Sequence, residues 1–370
     1  MKKAMIIFLL SVPALVLFAF MFMQQKSFGQ QPKDQRLSKI EKSPNYNGGV
    51  FHNREETPVM VDASFGKMAR LMLAKHPNTR PEDTIPTVKP DFGKIPNDNT
   101  EIIWLGHSSY LIKTEGLALL IDPILSKRAS PVQWTGVTSF PGSMVCNASD
   151  LPHIDVLIST HDHYDHLDYK TIEQLRLKTD KFLAPLGVGQ HLEHWGVASS
   201  SITELDWWES CQIAPNITMV ATPARHFSGR GFKRNQTLWA SFVLITPKHR
   251  IFIGGDSGYG SHFAEIGTKY GPFDIAILES GQYGKYWPYI HSTPEQTVQE
   301  AVDLKAKVLL PVHWGRFKLS VHPWTEPITR VLAKARELQV KTTTPRIGES
   351  VRIDAFYPEE KWWMAESRKL

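Results

Sequence analysis

The stretch STHDHYDHLD, residues 159–168, constrains this chain more than any other. Three histidines and three aspartates lie between His161 and Asp168, directly after the apolar run IDVLI. Such ionisable side chains are poor strand formers and are costly to bury unpaired, whereas IDVLI is typical of a buried strand. A core strand that ends in six ionisable groups indicates a loop built to bind metal.

Three further apolar runs end in residues of the same kind. ITMVATPAR precedes His226, RIFIGG precedes Asp256, and KVLLPV precedes His313. Because the strand ends of an α/β sheet present their loops along one edge, where ligand sites form, we expect these groups to meet. The candidate metal ligands are His161, His163, Asp165, His166, His226, Asp256 and His313.

This donor set suits a two-metal centre. Imidazole and carboxylate groups bind zinc at about 2.0–2.2 Å, and seven ligands are too many for one tetrahedral ion. Two ions roughly 3.5–4 Å apart can activate a water and neutralise charge on a phosphoryl or carbonyl group. We expect two Zn²⁺ ions, with iron or manganese as alternatives. No cysteine ends any of these strands, which argues against a thiolate ligand.

Each residue also has an ordinary explanation. Taken singly, His226 and His313 would be packed or surface histidines, and Asp256 would be a turn residue. Four candidate ligands between residues 161 and 166 make chance an inadequate explanation and lend weight to the other three. Asp168 stays outside the set because it can cap a helix that begins directly after it.

The spacing of apolar runs predicts a layered α/β sandwich over residues 96–356. Short β-type runs broken by Gly and Asp predict hairpins at its start. Later strands alternate with predicted helices at 169–178, 187–195 and 294–306, as in layered α/β folds. The last helix has the clearest start, because Thr293, Pro294 and Gln296 form a capping-box pattern with proline in the first turn.

The first 25 residues predict a membrane anchor. Residues 4–23 are 20 residues without a charge, about what an α-helix needs to cross a bilayer core of ~30 Å. A cleaved signal peptide is the alternative, although the apolar run exceeds the usual signal core of roughly 7–15 residues. Lysines flank both sides, so the charge rule does not fix the orientation; the expected arrangement places the catalytic domain outside the cytoplasm.

The segments flanking the predicted catalytic domain are less informative. Residues 26–95 predict an extended arm with one amphipathic helix at 64–76, expected to pack on its own domain, with a lipid surface as the alternative. Residues 357–370 predict a C-terminal tail. Cys146 and Cys211 can form one disulfide or none.

Composition argues against one class of partner. The net charge of +5 and the pI near 9 come without the Lys/Arg-rich block that is typical of nucleic-acid binding. We therefore expect no nucleic-acid partner.

The run HDHYDHLD resembles the HxHxDH signature of the metallo-β-lactamase fold, over about residues 95–355. Further blocks are similar, in order along the chain, to the N-acyl-phosphatidylethanolamine-hydrolysing phospholipase D family; they include WLGHSSYLI, TPARHFSGR, GGDSGYG, HSTPEQTV and LLPVHWGRF. The resemblance implies an αββα four-layer sandwich with a two-metal site along one sheet edge.

The resemblance also implies a role for each site residue. One zinc would be held by His161, His163 and His226, the other by Asp165, His166 and His313, with Asp256 bridging. His291 would contact the substrate phosphate, at a helix start where anions are favoured; a surface or capping-loop histidine is the alternative. Tyr164 is expected to line the pocket.

We therefore predict a membrane-anchored, zinc-dependent phosphodiesterase with Asp256 and His291 as catalytic residues. Its reaction would convert N-acyl-phosphatidylethanolamine-like lipids into N-acylethanolamine and phosphatidic acid. A lactone, ester or amide hydrolase using the same metals is the first alternative, and a non-hydrolytic metal-binding protein is the second. The expected partners are the phospholipid substrate and the membrane, and a homodimer is an option for its assembly.

Overall fold

Two mixed β-sheets, stacked face to face, form the centre of the molecule. The computed structural model describes residues 2–93 and 99–364, with side chains from residue 13 onward. The strands are β1 (Tyr46–Asn47), β2 (Val50–Phe51), β3 (Glu101–Trp104), β4 (Tyr110–Thr114), β5 (Leu117–Ile121), β6 (Arg128–Ala129), β7 (Val137–Thr138), β8 (Ile154–Ile158), β9 (Thr179–Pro185), β10 (Ile202–Leu205), β11 (Ser210–Ala214), β12 (Ile217–Thr222), β13 (Ser241–Ile245), β14 (Arg250–Ile253), β15 (Ile275–Glu279), β16 (Leu309–Val312) and β17 (Ser350–Arg352).

Eight α-helices accompany these strands. They are α1 (Lys2–Met23), α2 (Asp34–Ile40), α3 (Phe65–Leu73), α4 (Tyr169–Leu175), α5 (Gly189–His194), α6 (His262–Lys269), α7 (Pro294–Asp303) and α8 (Glu326–Leu338) among the described residues. Short 3₁₀ turns lie at Lys26–Phe28, Ser199–Ser201 and Trp362–Met364.

Each large sheet combines an antiparallel part with a parallel part. The first has the strand order β10-β9-β8-β5-β4-β3-β17 and is parallel from β10 to β5. The second has the order β11-β12-β13-β14-β15-β16 and is parallel from β14 to β16. The antiparallel run from β3 to β5 confirms the hairpins predicted at the start of this domain.

The buried apolar side chains form three clusters. One cluster fills the space between the sheets and includes Trp104, Ile121, Phe242 and Ile277. The second lies between the first sheet and α4 and α5, and the third between the second sheet and α6, α7 and α8. Helices therefore cover both outer faces, and the predicted four-layer αββα sandwich is confirmed. Because the strands are buried on both faces, they read as continuous apolar runs.

Two helix starts form as the sequence predicts. The Thr293 side chain accepts a hydrogen bond from the backbone N–H of Gln296, and the Gln296 side chain accepts one from the N–H of Thr293. Asp168 caps α4 by accepting from the N–H of Thr171. Both caps satisfy backbone donors that the first turn of a helix leaves without partners.

The arm and the tail differ from the prediction. The arm holds α2 and the hairpin β1–β2 in addition to α3. No residue of α3 is fully buried and Phe65 is almost fully exposed, whereas Met68, Ala69 and Leu71 are half-buried, so one face of the helix is partly covered. At the other end Trp362 and Trp363 join the core between the sheets, so the packed domain extends past residue 356.

The N-terminal residues form α1, but their side chains are described only from residue 13 onward. Part of the predicted anchor at 4–23 therefore lies outside the described side chains. Within the described part of the chain, no helix has both the length and the apolar character needed to cross a membrane.

Candidate metal centre

The seven predicted ligands converge where four strands end. The motif residues follow β8 in the first sheet, while His226, Asp256 and His313 follow β12, β14 and β16 in the second. Since the sheets are stacked, these loops meet along one shared edge. The ligand atoms fall into groups whose members lie within 4.8 Å of one another.

The first group is formed by three imidazoles. His163 Nδ1 lies 2.9 Å from His161 Nε2 and 3.1 Å from His226 Nε2. Asp256 Oδ2 lies 3.9 Å and 3.8 Å from the same two Nε2 atoms. Four ligands about 2.0–2.1 Å from a tetrahedral ion would be roughly 3.3 Å apart. The spacing of these atoms therefore suits one metal ion.

The second group shares Asp256 with the first. Its Oδ1 atom lies 3.1 Å from His166 Nε2 and 3.1 Å from His313 Nδ1. Asp165 Oδ2 lies 3.5 Å from His166 Nε2. One oxygen of Asp256 thus faces each group, which is the geometry that a bridging carboxylate requires.

Buried atoms without well-formed hydrogen bonds also suit a metal ion. Asp256 Oδ1, His166 Nε2 and His313 Nε2 are buried and form no hydrogen bond of good geometry, although the first two lie 3.1 Å apart as an ion pair. Orphaned polar atoms of this kind cost free energy, and a coordinated ion would satisfy them. The donor set of imidazole and carboxylate therefore fits a metal centre.

The electrostatics of the ligands agree with this interpretation. Burial lowers the pKa of His161, His226 and His313 well below the usual value, and an imidazole must be neutral to bind a metal. Burial also acts against protonation of His166, but the carboxylates of Asp256 and Asp165 raise its pKa well above the usual value. A bound cation would replace that proton as the counter-charge to the carboxylates.

Neighbouring groups fix the orientation of the ligand rings. His166 Nδ1 lies 2.8 Å from Asp122 Oδ2, and His226 Nδ1 lies 2.8 Å from the Ile290 carbonyl. Such bonds hold a ring so that its other nitrogen points at the metal.

A cavity of about 310 Å³ opens beside the two groups. It is lined by Val59, Met60, His163, Asp165, Phe227, Arg234, Asp256, Gln282, Trp287, Ile290, His291 and Leu319. Half of the lining residues are apolar, and the other half bring polar groups to the cavity: His163, Asp165, Arg234, Asp256, Gln282 and His291. The cavity can therefore hold a partly apolar ligand with a polar group at the metal centre.

His291 lies in this cavity, where the sequence placed a phosphate contact. Its Nδ1 atom forms a 2.6 Å ion pair with Glu279 Oε2. Burial opposes protonation, but the Glu279 carboxylate raises the pKa of His291 to about 9. Because Glu279 occupies Nδ1, the Nε2–H of the protonated ring is left to donate to a ligand.

Tyr164 does not have the predicted position. It is absent from the cavity lining. Its hydroxyl donates to the Arg230 carbonyl at 2.5 Å, and its ring packs under the Arg230 guanidinium and against Phe28. The structure therefore places Tyr164 outside the lining of this cavity, because the motif loop turns its side chain toward the N-terminal segment.

Sequence reasoning missed a layer behind the second group of ligands. The side chain of His107 is fully buried, and its Nε2 lies 2.9 Å from Asp165 Oδ2. Ser108 Oγ lies 2.9 Å from His313 Nδ1. The block WLGHSSYLI contains both residues, but it was interpreted only as β-type runs and as one of the blocks that resemble the phospholipase D family. Glu279 was missed for the same reason, since it is the last residue of an apolar strand.

Removing His107 should weaken the second metal position selectively. Groups that hold a metal-bound carboxylate or imidazole typically contribute 10–100-fold in metal affinity. His107→Ala should therefore reduce metal content toward one ion per chain at limiting metal, while the group built from His161, His163 and His226 stays filled. His107→Gln can keep a donor to Asp165 and should recover part of the loss.

Metal content by elemental analysis, together with binding titrations, checks this prediction. His249→Ala is the matched control, because His249 is also buried but bonds to Thr100 and Asp354 away from the metal centre. Equal loss of metal in His107→Ala and His249→Ala would mean that His107 acts only through general stability.

A buried edge site with two clusters of imidazole and carboxylate is typical of a metal-dependent hydrolase. Comparison with known proteins agrees: residues 118–314 match the model of the beta-lactamase superfamily domain. The chain belongs to the metallo-β-lactamase superfamily, and it is a metal-dependent hydrolase of that superfamily.

Two relatives and one solved structure are similar to this chain over most of its length. An uncharacterized protein of Mycobacterium tuberculosis is 40% identical over 333 residues, covering 87% of this chain and 88% of that protein. The N-acyl-phosphatidylethanolamine-hydrolyzing phospholipase D 1 of Caenorhabditis elegans is 32% identical over 250 residues, covering 63% of this chain and 70% of that protein. The metallo hydrolase Igni18 of Ignicoccus hospitalis has a TM-score of 0.52 at 18% identity, over 70% of this chain and 100% of that chain, and shows the shared fold.

Proposed function

We propose that this chain is a zinc-dependent phosphodiesterase of phospholipase D type. Its substrates would be N-acyl-phosphatidylethanolamine-like lipids, and its products N-acylethanolamine and phosphatidic acid. The observation that carries the proposal is the position of His291, which lies in the cavity beside the candidate metal centre and pairs through Nδ1 with Glu279 Oε2 at 2.6 Å. The named activity of the Caenorhabditis elegans relative supports the same reaction class.

Two metal ions, when bound, would supply Lewis acidity toward phosphoryl oxygens and lower the pKa of water. His161, His163, His226, Asp165, His166, Asp256 and His313 would hold these ions. His291 would donate from Nε2 to a phosphoryl oxygen whose negative charge grows in the transition state. Glu279 would keep that ring protonated and oriented through its 2.6 Å ion pair.

The reaction itself is a simple hydrolysis. The oxygen of water forms a bond to phosphorus, and the bond from phosphorus to the ethanolamine oxygen breaks. One proton of the water passes to the departing alkoxide. Phosphatidic acid and N-acylethanolamine leave, and no oxidant or further reactant is consumed.

The cavity wall supports a lipid as the substrate. Phe227, Trp287 and Leu319 present apolar surface beside the polar end of the cavity. Acyl or glycerol carbons could pack there, and burial of each CH₂ stabilises such a complex by about 0.8 kcal/mol.

We extend the proposal to the place of action. The uncharged stretch at 4–23 would hold the chain at a membrane, with the catalytic domain on the extracytoplasmic side. Membrane fractionation of cells that express the full chain, with and without added protease, tests both points. A chain that stays in the soluble fraction, or resists protease in intact spheroplasts, would contradict them.

A substrate panel tests the reaction class. The zinc-loaded full chain is incubated with N-acyl-phosphatidylethanolamine, a simple phosphodiester, a lactone, a carboxyl ester and a β-lactam. We expect turnover of the two phosphodiesters and release of N-acylethanolamine from the lipid. Lactone or ester hydrolysis without phosphodiester turnover would replace this proposal by the first alternative, and no turnover at full metal occupancy would favour a binding protein.

A further inference from the structure

One segment of the N-terminal arm crosses the metal centre. We call residues 51–61 the strap. The strap begins at Phe51, whose side chain is fully buried in the core between the sheets. Near its other end, Val59 and Met60 line the cavity beside the metal ligands. A part of the chain that the sequence predicts as an extended arm therefore forms part of the wall of the candidate site.

Asn53 links the strap to the backbone of a predicted metal ligand. Its Nδ2 atom donates to the His226 carbonyl at 2.7 Å, and its Oδ1 atom accepts from the His226 N–H at 3.1 Å. The indole N–H of Trp239 also donates to Oδ1, at 3.1 Å, and so fixes which way the amide faces. One side chain therefore satisfies both backbone groups of a fully buried residue.

The backbone of His226 depends on this contact. Among the described residues, no other group forms a hydrogen bond with the N–H or the carbonyl of His226. Buried backbone groups that lose their partners are costly, so the chain around them shifts to find others. Such a shift would move His226 Nε2, which lies 3.1 Å from His163 Nδ1, out of the first group of ligands.

The strap is also fixed directly after Asn53. Arg225 donates from Nη2 to the Glu56 carbonyl at 2.8 Å and from Nε to Thr57 Oγ1 at 3.0 Å. Because Arg225 directly precedes His226, two neighbouring residues of the ligand loop bind the same short stretch of the strap. The contact with Asn53 is therefore part of a defined interface between the strap and the ligand loop.

We propose that Asn53 is a positioning residue of the metal centre, which holds His226 in place for the first metal ion. The N-terminal arm is then a part of the active centre. Groups that support a metal ligand from behind typically contribute 10–100-fold in metal affinity. The inference rests on the proposed function through the metal ions that the hydrolysis requires, and the choice of substrate does not enter it.

Metal binding in two backgrounds tests whether Asn53 acts through His226. His226→Ala removes a ligand from the first group and leaves an ion at the second, while Asp165→Ala does the reverse. Asn53→Ala is added to each background in the full chain, and the affinity for the remaining Zn²⁺ ion is measured by competition with a chelator. We expect a 10–100-fold loss in the Asp165→Ala background. We expect little change in the His226→Ala background, since a contact that acts through one residue has no further effect once that residue is removed.

Asn45→Ala is the matched control. Asn45 is also a half-buried asparagine of the arm, and its Nδ2 atom donates at 2.8 Å to Asp206, which is not a predicted metal ligand. Asn45→Ala should leave the Zn²⁺ affinity unchanged in both backgrounds. Equal losses from Asn53→Ala in the two backgrounds, or equal losses from Asn45→Ala and Asn53→Ala, would overturn the proposal, because they would show only a general loss of stability.

Asn53→Asp provides a second variant in case Asn53→Ala does not fold. Aspartate has the shape of asparagine and keeps an acceptor for the His226 N–H, but an ionised carboxylate has no donor for the His226 carbonyl. We expect Asn53→Asp to weaken Zn²⁺ binding in the Asp165→Ala background and not in the His226→Ala background. Unchanged affinity in both backgrounds would contradict the positioning role.

These titrations contain no substrate, so they do not depend on turnover. If Asn53→Ala weakens the first metal position as expected but the substrate panel shows no phosphodiester hydrolysis, the proposed function alone fails. Phosphodiester turnover by a protein whose Zn²⁺ affinity does not respond to Asn53→Ala would leave the function standing and remove Asn53 from the metal centre.

Discussion

Asp256→Ala should abolish metal binding and turnover together. One oxygen of Asp256 faces each group of ligands, at 3.8–3.9 Å from the first group and 3.1 Å from the second. Among the residues that the structure describes, no other carboxylate belongs to both groups of ligands. The fall in turnover should exceed the roughly 10²–10³-fold that one oxyanion donor contributes, because both metal positions are lost.

Elemental analysis and kinetics on the same preparation measure this result. Asp168→Asn is the matched control: it changes an aspartate of the HDHYDHLD motif that caps α4, and asparagine caps helices equally well. That variant should keep its metal. An Asp256→Ala protein that still holds two ions and turns over normally would contradict the bridging role.

His291→Ala should leave the metal in place and lower turnover. The ring contributes a donor toward the phosphoryl group, and its loss should cost about 10–10²-fold, less than a lone oxyanion donor, because the metal ions carry most of the charge. Glu279→Gln keeps the shape of the Glu279 side chain but removes the carboxylate that raises the pKa of His291. Glu279→Gln should therefore lower turnover, but by a smaller factor than His291→Ala.

The comparison must be made at equal metal occupancy. His291 begins the segment that leads into α7, and its Nδ1 lies 3.9 Å from Asp256 Oδ2, so a disturbed loop could shift the bridging ligand. Unchanged kinetics of a fully metallated His291→Ala enzyme on a phosphodiester would remove this residue from the mechanism.

The sequence predicted the metal centre well because its signals are local. Each ligand follows an apolar strand within a few residues, so the strand pattern alone locates it. The caps at Asp168 and Thr293 were predictable for the same reason, since a cap depends on residues three positions away. The sandwich followed from the order of strands and helices.

The supporting residues could not be predicted in this way. His107 is 58 positions from Asp165 and 205 positions separate Ser108 from His313. Only the folded arrangement of β3, β4, β8 and β16 brings them together. Tyr164 shows that a local signal can also mislead. Its place in the motif predicted a position in the cavity lining, but its hydroxyl bonds to the carbonyl of Arg230, which is distant in sequence.

The central claim is that water attacks the phosphorus of an N-acylated ethanolamine phospholipid. It is tested most directly by hydrolysis in H₂¹⁸O, with the zinc-loaded full chain and N-acyl-phosphatidylethanolamine, followed by mass spectrometry of the products. The account predicts one ¹⁸O atom in the phosphate of phosphatidic acid and none in N-acylethanolamine. Label in the ethanolamine oxygen, in a phosphorylated N-acylethanolamine or in a free fatty acid would show a different bond being broken and would contradict it.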